Sequence, residues 1–196
     1  MNSLCGVDYS IGGPAMCIHP DIEKWDYSKC KFTYLTKTKA RQIKYEEHNM
    51  SFNGLSFIQE YQYDVNRYQH SASVFLSIMA NYNVTDVKLE GYAYGAKGRG
   101  VFNIAEATGL LKHFIAVNGI MMTIAQPSEV KKFATGKGNA NKADMAQAFY
   151  DETGVDLVRM FQLQKVTNPA DDIADAYFIC KYLHTINNLK AENKND

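Results

Sequence analysis

One aspartate sits inside the most apolar stretch at the start of the chain, Leu4-Cys5-Gly6-Val7-Asp8-Tyr9-Ser10-Ile11. The run is short, apolar and closed by Gly12-Gly13-Pro14, which reads as a buried strand followed by a turn. A charged carboxylate in such a strand is costly unless it has partners. Asp8 therefore constrains the fold: other polar groups must be brought to it. The alternative at this point is a local turn with Ser10.

Two further short strands follow, Ala15 to Ile18 and Lys31 to Leu35, and the three together read as an antiparallel meander. Residues 36 to 70 are polar and rich in tyrosine, asparagine and glutamine, an insertion or elaborated connection with some strand content. Beyond it the pattern alternates. Apolar positions Val74, Phe75, Ile78 and Met79 have helical spacing within residues 71 to 83. Val84 to Glu90 is a strand, Phe102 to Val117 a helix, and Met121 to Ala125 a short strand ended by Pro127. Helices are expected from Ser128, read as an N-cap, from Asn141, and from Pro169 to Asn188. Strands first, then alternating helix and strand, give an α/β domain with a mixed sheet: antiparallel strands, then parallel ones, flanked by helices. The reading is a single domain over residues 1 to 188 with a polar, fraying tail at 189 to 196.

The last helix carries the second informative cluster, Asn168-Pro169-Ala170-Asp171-Asp172-Ile173-Ala174-Asp175. Asparagine as cap and proline in the first turn would place Asp171 where it caps the helix. Asp172 and Asp175 are three apart and share a face. Their neighbours Ile173, Ala176, Tyr177, Cys180 and Leu183 are the residues that should be buried. Two carboxylates beside a buried face repel each other and lose solvation, and a divalent cation would relieve both. A solvated acidic first turn is the plainer alternative. Glu90 closes a strand just before the glycine-rich stretch Gly91 to Gly100, and strand ends in α/β sheets commonly line ligand crevices.

The formal net charge is zero, which by itself weighs against a nucleic-acid partner. The basic residues are nonetheless grouped. Lys97 and Arg99 lie in the glycine-rich stretch, and Lys131, Lys132, Lys137 and Lys142 surround Gly136 and Gly138. They are candidates for phosphate contacts, with solvated surface lysines the alternative. Cys5, Cys17, Cys30 and Cys180 form no Cys-x-x-Cys pair, so reduced core thiols are expected rather than structural zinc. No apolar run approaches the roughly 18 residues of a membrane span. The first residues lack a secretory pattern, and a cytoplasmic protein is expected.

In order and spacing these segments resemble the RuvC-type Holliday junction resolvases of the ribonuclease H-like superfamily. The resemblance runs from Gly6-Val7-Asp8 through Leu89-Glu90 to Asp172-Ile173-Ala174-Asp175-Ala176. Phe102 to Gly109, Pro127 to Lys132 and Thr135 to Lys142 are similar to further stretches of the family. It covers most of residues 1 to 20 and 84 to 188.

The resemblance implies a ribonuclease H-like fold and a structure-selective DNA endonuclease acting on four-way or other branched DNA. It implies that Asp8, Glu90, Asp172 and Asp175 hold two Mg²⁺ ions, with Mn²⁺ as substitute, Asp8 bridging them. It also implies a homodimer, for which the helix from Phe102 to Val117 is the candidate interface. Asp171 is an alternative ligand. Flap or hybrid cleavage, or junction binding without catalysis, would fit the same pattern. Bacterial members have proline and glycine where Tyr9-Ser10 stands. They carry an aromatic three residues after the glutamate, a position that Tyr92 and Tyr94 flank. With the 36 to 70 stretch, these departures make the chain more similar to phage- or virus-encoded members, for which the expected place is the host cell cytoplasm. Tyr92 or Tyr94 would stack on an unpaired base.

Overall fold

The computed structural model describes residues 1–56, 62–92 and 99–193, with only the backbone of Arg99. One seven-stranded mixed sheet organises the molecule, in the order β4-β5-β3-β2-β1-β6-β7. The strands are β1 (Ser3–Asp8), β2 (Ala15–Pro20), β3 (Lys31–Thr36), β4 (Lys44–Glu47), β5 (Met50–Ser56), β6 (Val84–Glu90) and β7 (Met121–Ala125). The helices are α1 (Asp64–Asn81), α2 (Arg99–Val117), α3 (Pro127–Thr135), α4 (Lys142–Thr153), α5 (Leu157–Met160) and α6 (Ala170–Glu192).

The expected pairing is observed. β1–β2 and β2–β3 are antiparallel, and β1–β6 and β6–β7 are parallel. The stretch at 36 to 70 contributes β4 and β5, and β5 runs parallel to β3 and widens the sheet. Its second half starts α1 at Asp64, earlier than the periodicity from residue 71 suggested.

Alternation along β1 assigns its two faces. Leu4 joins the apolar cluster shared with α4 and α6. Cys5 and Val7 join the cluster under α1 and α2. Gly6 and Asp8 therefore share Leu4's side, toward α6. β6 behaves alike: Val87 and Leu89 pack toward α1 and α2, leaving Lys88 and Glu90 on the α6 side.

Gly6 explains how closely α6 can lie. A Cβ built on Gly6 would stand 2.2 Å from the Cys180 amide nitrogen and 2.5 Å from the Ala176 carbonyl oxygen. Only a glycine lets the helix backbone rest directly on the central strand. α6 is accordingly buried on nearly all sides over its first half, and Ile173, Ala176, Tyr177, Cys180 and Leu183 are all core residues. It runs on to Glu192, so the polar end expected to fray from residue 189 begins as helix. All four cysteines are buried and free. Among the described residues, no helix is long and apolar enough to cross a membrane.

Candidate metal centre

Asp8 and Glu90 occupy equivalent ends of neighbouring parallel strands, each one residue past the Val7–Leu89 pair. The first turn of α6 lies over them because Gly6 seats that helix on β1 one turn further along. Asp8, Glu90, Asp172 and Asp175 thus gather at the carboxyl ends of β1 and β6. Asp8 and Asp172 are 8% and 7% exposed, and their carboxyl groups share a hydrogen bond. Asp175 and Glu90 are half-buried.

The electrostatics record the crowding. Burial holds the Asp8 carboxyl well above its ordinary range, and the charges of Asp172, Glu90 and Asp175 push it the same way. Asp175 is pushed up to about 8 by burial and then by Glu90 and Asp172. Asp172 is pushed up to about 7 by burial and then by Asp171. Glu90 is raised by burial and pulled back by Lys131, the half-buried lysine that also acts on Asp175. Four oxygen donors that disfavour their own ionisation form a set that a hard divalent cation would suit. Among the described residues, no group of three or more acidic, histidine or cysteine side chains is placed so that it could hold a metal ion as it stands.

Asp171 borders this set, and its charge acts on Asp172 and Asp175. Its carboxylate pairs with the Lys142 ammonium on α4. It does not cap the helix as the sequence suggested. The N-cap is Pro169, without a side-chain hydrogen bond, and α6 begins at Ala170. Asn168, expected as the cap, instead donates from Nδ2 to the Asp172 carboxylate, and to the Gly13 carbonyl at 3.2 Å. Arg41 donates to the Asn168 carbonyl at 2.5 Å. Asn168 is thus a positioning residue for Asp172, one that sequence reasoning missed because Asn-Pro before a helix is fully explained as a cap.

The basic candidates divide. Lys131 belongs to the carboxylate cluster and Lys142 touches its edge through Asp171. Lys132 and Lys137 are exposed around the turn that ends α3 at Gly136, whose φ of 78° a glycine tolerates without strain. α3 is capped by Gln126, not Ser128: the Gln126 amide donates to Glu129 Oε2 at 3.1 Å in a capping box. Asn141 caps α4, accepting from the Ala143 amide at 2.8 Å. Tyr92 is 44% exposed and the Lys112 ammonium lies 5.0 Å from its ring centroid. Tyr94 and Lys97 lie outside the described residues, and Arg99 opens α2.

Comparison with known proteins adds independent findings. The family described as "Crossover junction endodeoxyribonuclease RuvC" matches residues 41–181. A RuvC of Clostridioides difficile (strain 630), itself described as a crossover junction endodeoxyribonuclease, is 29% identical over 119 residues. That stretch is 61% of this chain and 65% of the relative, so the alignment spans just under two thirds of the relative's length. The structure of Thermus thermophilus RuvC in complex with a Holliday junction substrate matches with a TM-score of 0.62 at 15% identity, covering 93% of this chain and 95% of that one. The yeast mitochondrial Holliday junction resolvase matches with a TM-score of 0.56 at 13% identity, covering 96% and 80%. At such identities the structural likeness speaks for the fold, which is the α/β ribonuclease H-like architecture expected. The sequence match extends over well more than half of the chain, and on that ground the chain belongs to the RuvC family of crossover junction endodeoxyribonucleases.

Proposed function

We propose that this protein is a divalent-metal-dependent DNA endonuclease that cuts four-way junctions or closely related branched DNA, acting as a homodimer. The observation that carries the reading is the convergence of four carboxylates from β1, β6 and α6 on one face of the sheet, in a chain of this family. Asp8, Glu90, Asp172 and Asp175 would hold two Mg²⁺ ions, or Mn²⁺ in their place. Bound there, such ions would activate the attacking water and would stabilise the departing 3′ oxygen of the phosphodiester.

The chain's own residues set the terms. Asn168 fixes the rotamer of Asp172 through its hydrogen bond. Lys131 favours the ionised forms of Glu90 and Asp175. Lys142 holds Asp171 out of the ligand set by pairing with it. Lys131, Lys132 and Lys137 supply positive charge along the approach to the site, and Lys142 adds to it only if its pair with Asp171 opens. Tyr92, Tyr94, Lys97 and Arg99 belong to the stretch that follows Glu90, the place from which DNA strands near the cut would be gripped or a base stacked.

The test is a cleavage panel in Mg²⁺ on four-way junctions, three-way junctions, flaps, RNA–DNA hybrids and linear duplex. Paired symmetric nicks in the four-way junction are expected. Asp8→Asn should lower cutting by at least about 10³-fold, while binding to the junction in Ca²⁺ persists. Undiminished cutting by that variant would remove Asp8 from the mechanism, and preference for flaps or hybrids would redefine the substrate.

A further inference from the structure

On the face of the sheet away from α6, the residue after Asp8 turns its ring into the α1 and α2 layer. Tyr9 meets Phe75 edge-on, with centroids 5.6 Å apart. Its hydroxyl is buried and has no hydrogen-bond partner among the described residues. The same is true of the Tyr68 hydroxyl and of Arg67 Nε, both from α1. These three residues line one narrow cleft together with Ser10 and Ser71. Tyr9 is 8%, Tyr68 4% and Ser71 5% exposed.

Three buried polar groups left unpaired at one place are uncommon in a folded chain, since each forfeits hydrogen bonds it had in water. Their chemistry is one-sided. A guanidinium offers only donors and stays charged at any ordinary pH, and phenol hydroxyls donate readily. The cleft therefore suits an oxygen acceptor that carries negative charge. Its cavity of about 10 Å³ has room for one oxygen atom and no more. The outer arm of Arg67 faces Asp64 at 3.3 Å, and Asp64 is exposed and free to swing aside.

We propose that this cleft is a phosphate subsite: one non-bridging oxygen of a DNA phosphate neighbouring the scissile one enters between Arg67, Tyr68 and Tyr9. The remainder of the phosphate stays at the mouth, beside Ser10. Tyr9 and Ser10 directly follow Asp8 in the chain, so the mouth of the cleft opens at the same carboxyl end of β1 at which the four acids gather, while its walls belong to the opposite face of the sheet. The site is the second grip on that strand, from the α1 side, opposite the lysines that approach from α3 and α4. Arg67 and Tyr68 act as positioning residues. The inference rests on the reading of the chain as an enzyme that binds branched DNA.

Binding of an immobile four-way junction, measured by fluorescence anisotropy in Ca²⁺ over a range of salt, tests it. Arg67→Gln should weaken binding roughly tenfold at low salt and flatten the slope of log K against log salt by about 1. Tyr68→Phe should weaken it by roughly threefold with the slope unchanged, because only a neutral donor is lost. Junctions carrying a single methylphosphonate next to the cut should bind wild type more weakly and Arg67→Gln no differently. An unaltered salt slope in Arg67→Gln, or a methylphosphonate effect that the variant does not abolish, would mean the cleft holds an internal water only and would overturn the subsite while leaving the endonuclease reading intact. If Arg67→Gln does not fold, Arg67→Lys decides: the proposal requires the slope to be kept and the tighter binding lost. A wild-type protein that binds no branched DNA would sink the function and the subsite together.

Discussion

At the scale of single residues, the carboxylate site is unstable by design. Asp172 and Asp175 titrate near 7 and 8 in the folded chain, against an ordinary 3.8. A raised pKa means the folded state holds on to protons that the unfolded chain releases. Stability from these groups is fully present below about pH 4 and is lost as pH rises through 7 to 8. Without metal, the melting temperature should therefore fall between about pH 5 and pH 9, as read by calorimetry in EDTA. Millimolar Mg²⁺ should raise it far more at pH 8 than at pH 5, because cations bind the ionised forms. Equal shifts at the two pH values would argue against metal binding by these acids. Asp175→Asn should raise the metal-free stability at pH 8 by roughly 1–2 kcal/mol and abolish the Mg²⁺ response.

Elements meet here through one missing side chain. Gly6 lets the α6 backbone touch β1, and the first turn of α6 reaches Asp8 only because of that contact. Gly6→Ala would force the Ala176 to Cys180 turn outward. Overpacking of this kind costs about 1–3 kcal/mol, and the backbone identity of the clash puts this case at the upper end. Urea denaturation should report the loss. A drop in Mg²⁺ affinity greater than in a control core variant of equal stability would show that the helix has moved off the strand. The loop that carries Asn168 is a second tie, held by Arg41 and by Gly13. It couples the connection before α6 to the turn after β1, so residues far apart in sequence fix one carboxylate.

At the scale of the whole molecule, the apolar surface on and beside α2 has a use in the proposed dimer. Ala107, Leu111 and Ile115 are buried against the sheet. Phe102 and Val117, at the two ends of the same helix, are 69% and 63% exposed, and Met121 beyond it is 67% exposed. The helix is thus wider in apolar residues than its own core needs. Phe102→Glu should shift the protein toward monomer in sedimentation velocity. It should also turn paired symmetric nicks on a four-way junction into single nicks, since two cuts need two sites related by symmetry. A variant that stays dimeric would move the interface elsewhere.

β6 was legible from its alternation, β1 and β7 as short apolar runs closed by turn residues, and α2 from Phe102 to Val117, three residues inside its observed start at Arg99. So was the cost of Asp8 in an apolar strand, which required partners, and the ordered motifs pointed to Glu90, Asp172 and Asp175 as those partners. The roles of Asn168 and Asp171 were not legible. Local capping rules explained both completely, and it took contacts with Asp172, Gly13 and Lys142, set by the packing of α4 and the β1 turn on α6, to override them. Local sequence determines which faces are apolar and where chains can turn. Which polar groups meet across those faces depends on how closely two backbones approach, and in this protein the absent side chain of Gly6 decides it.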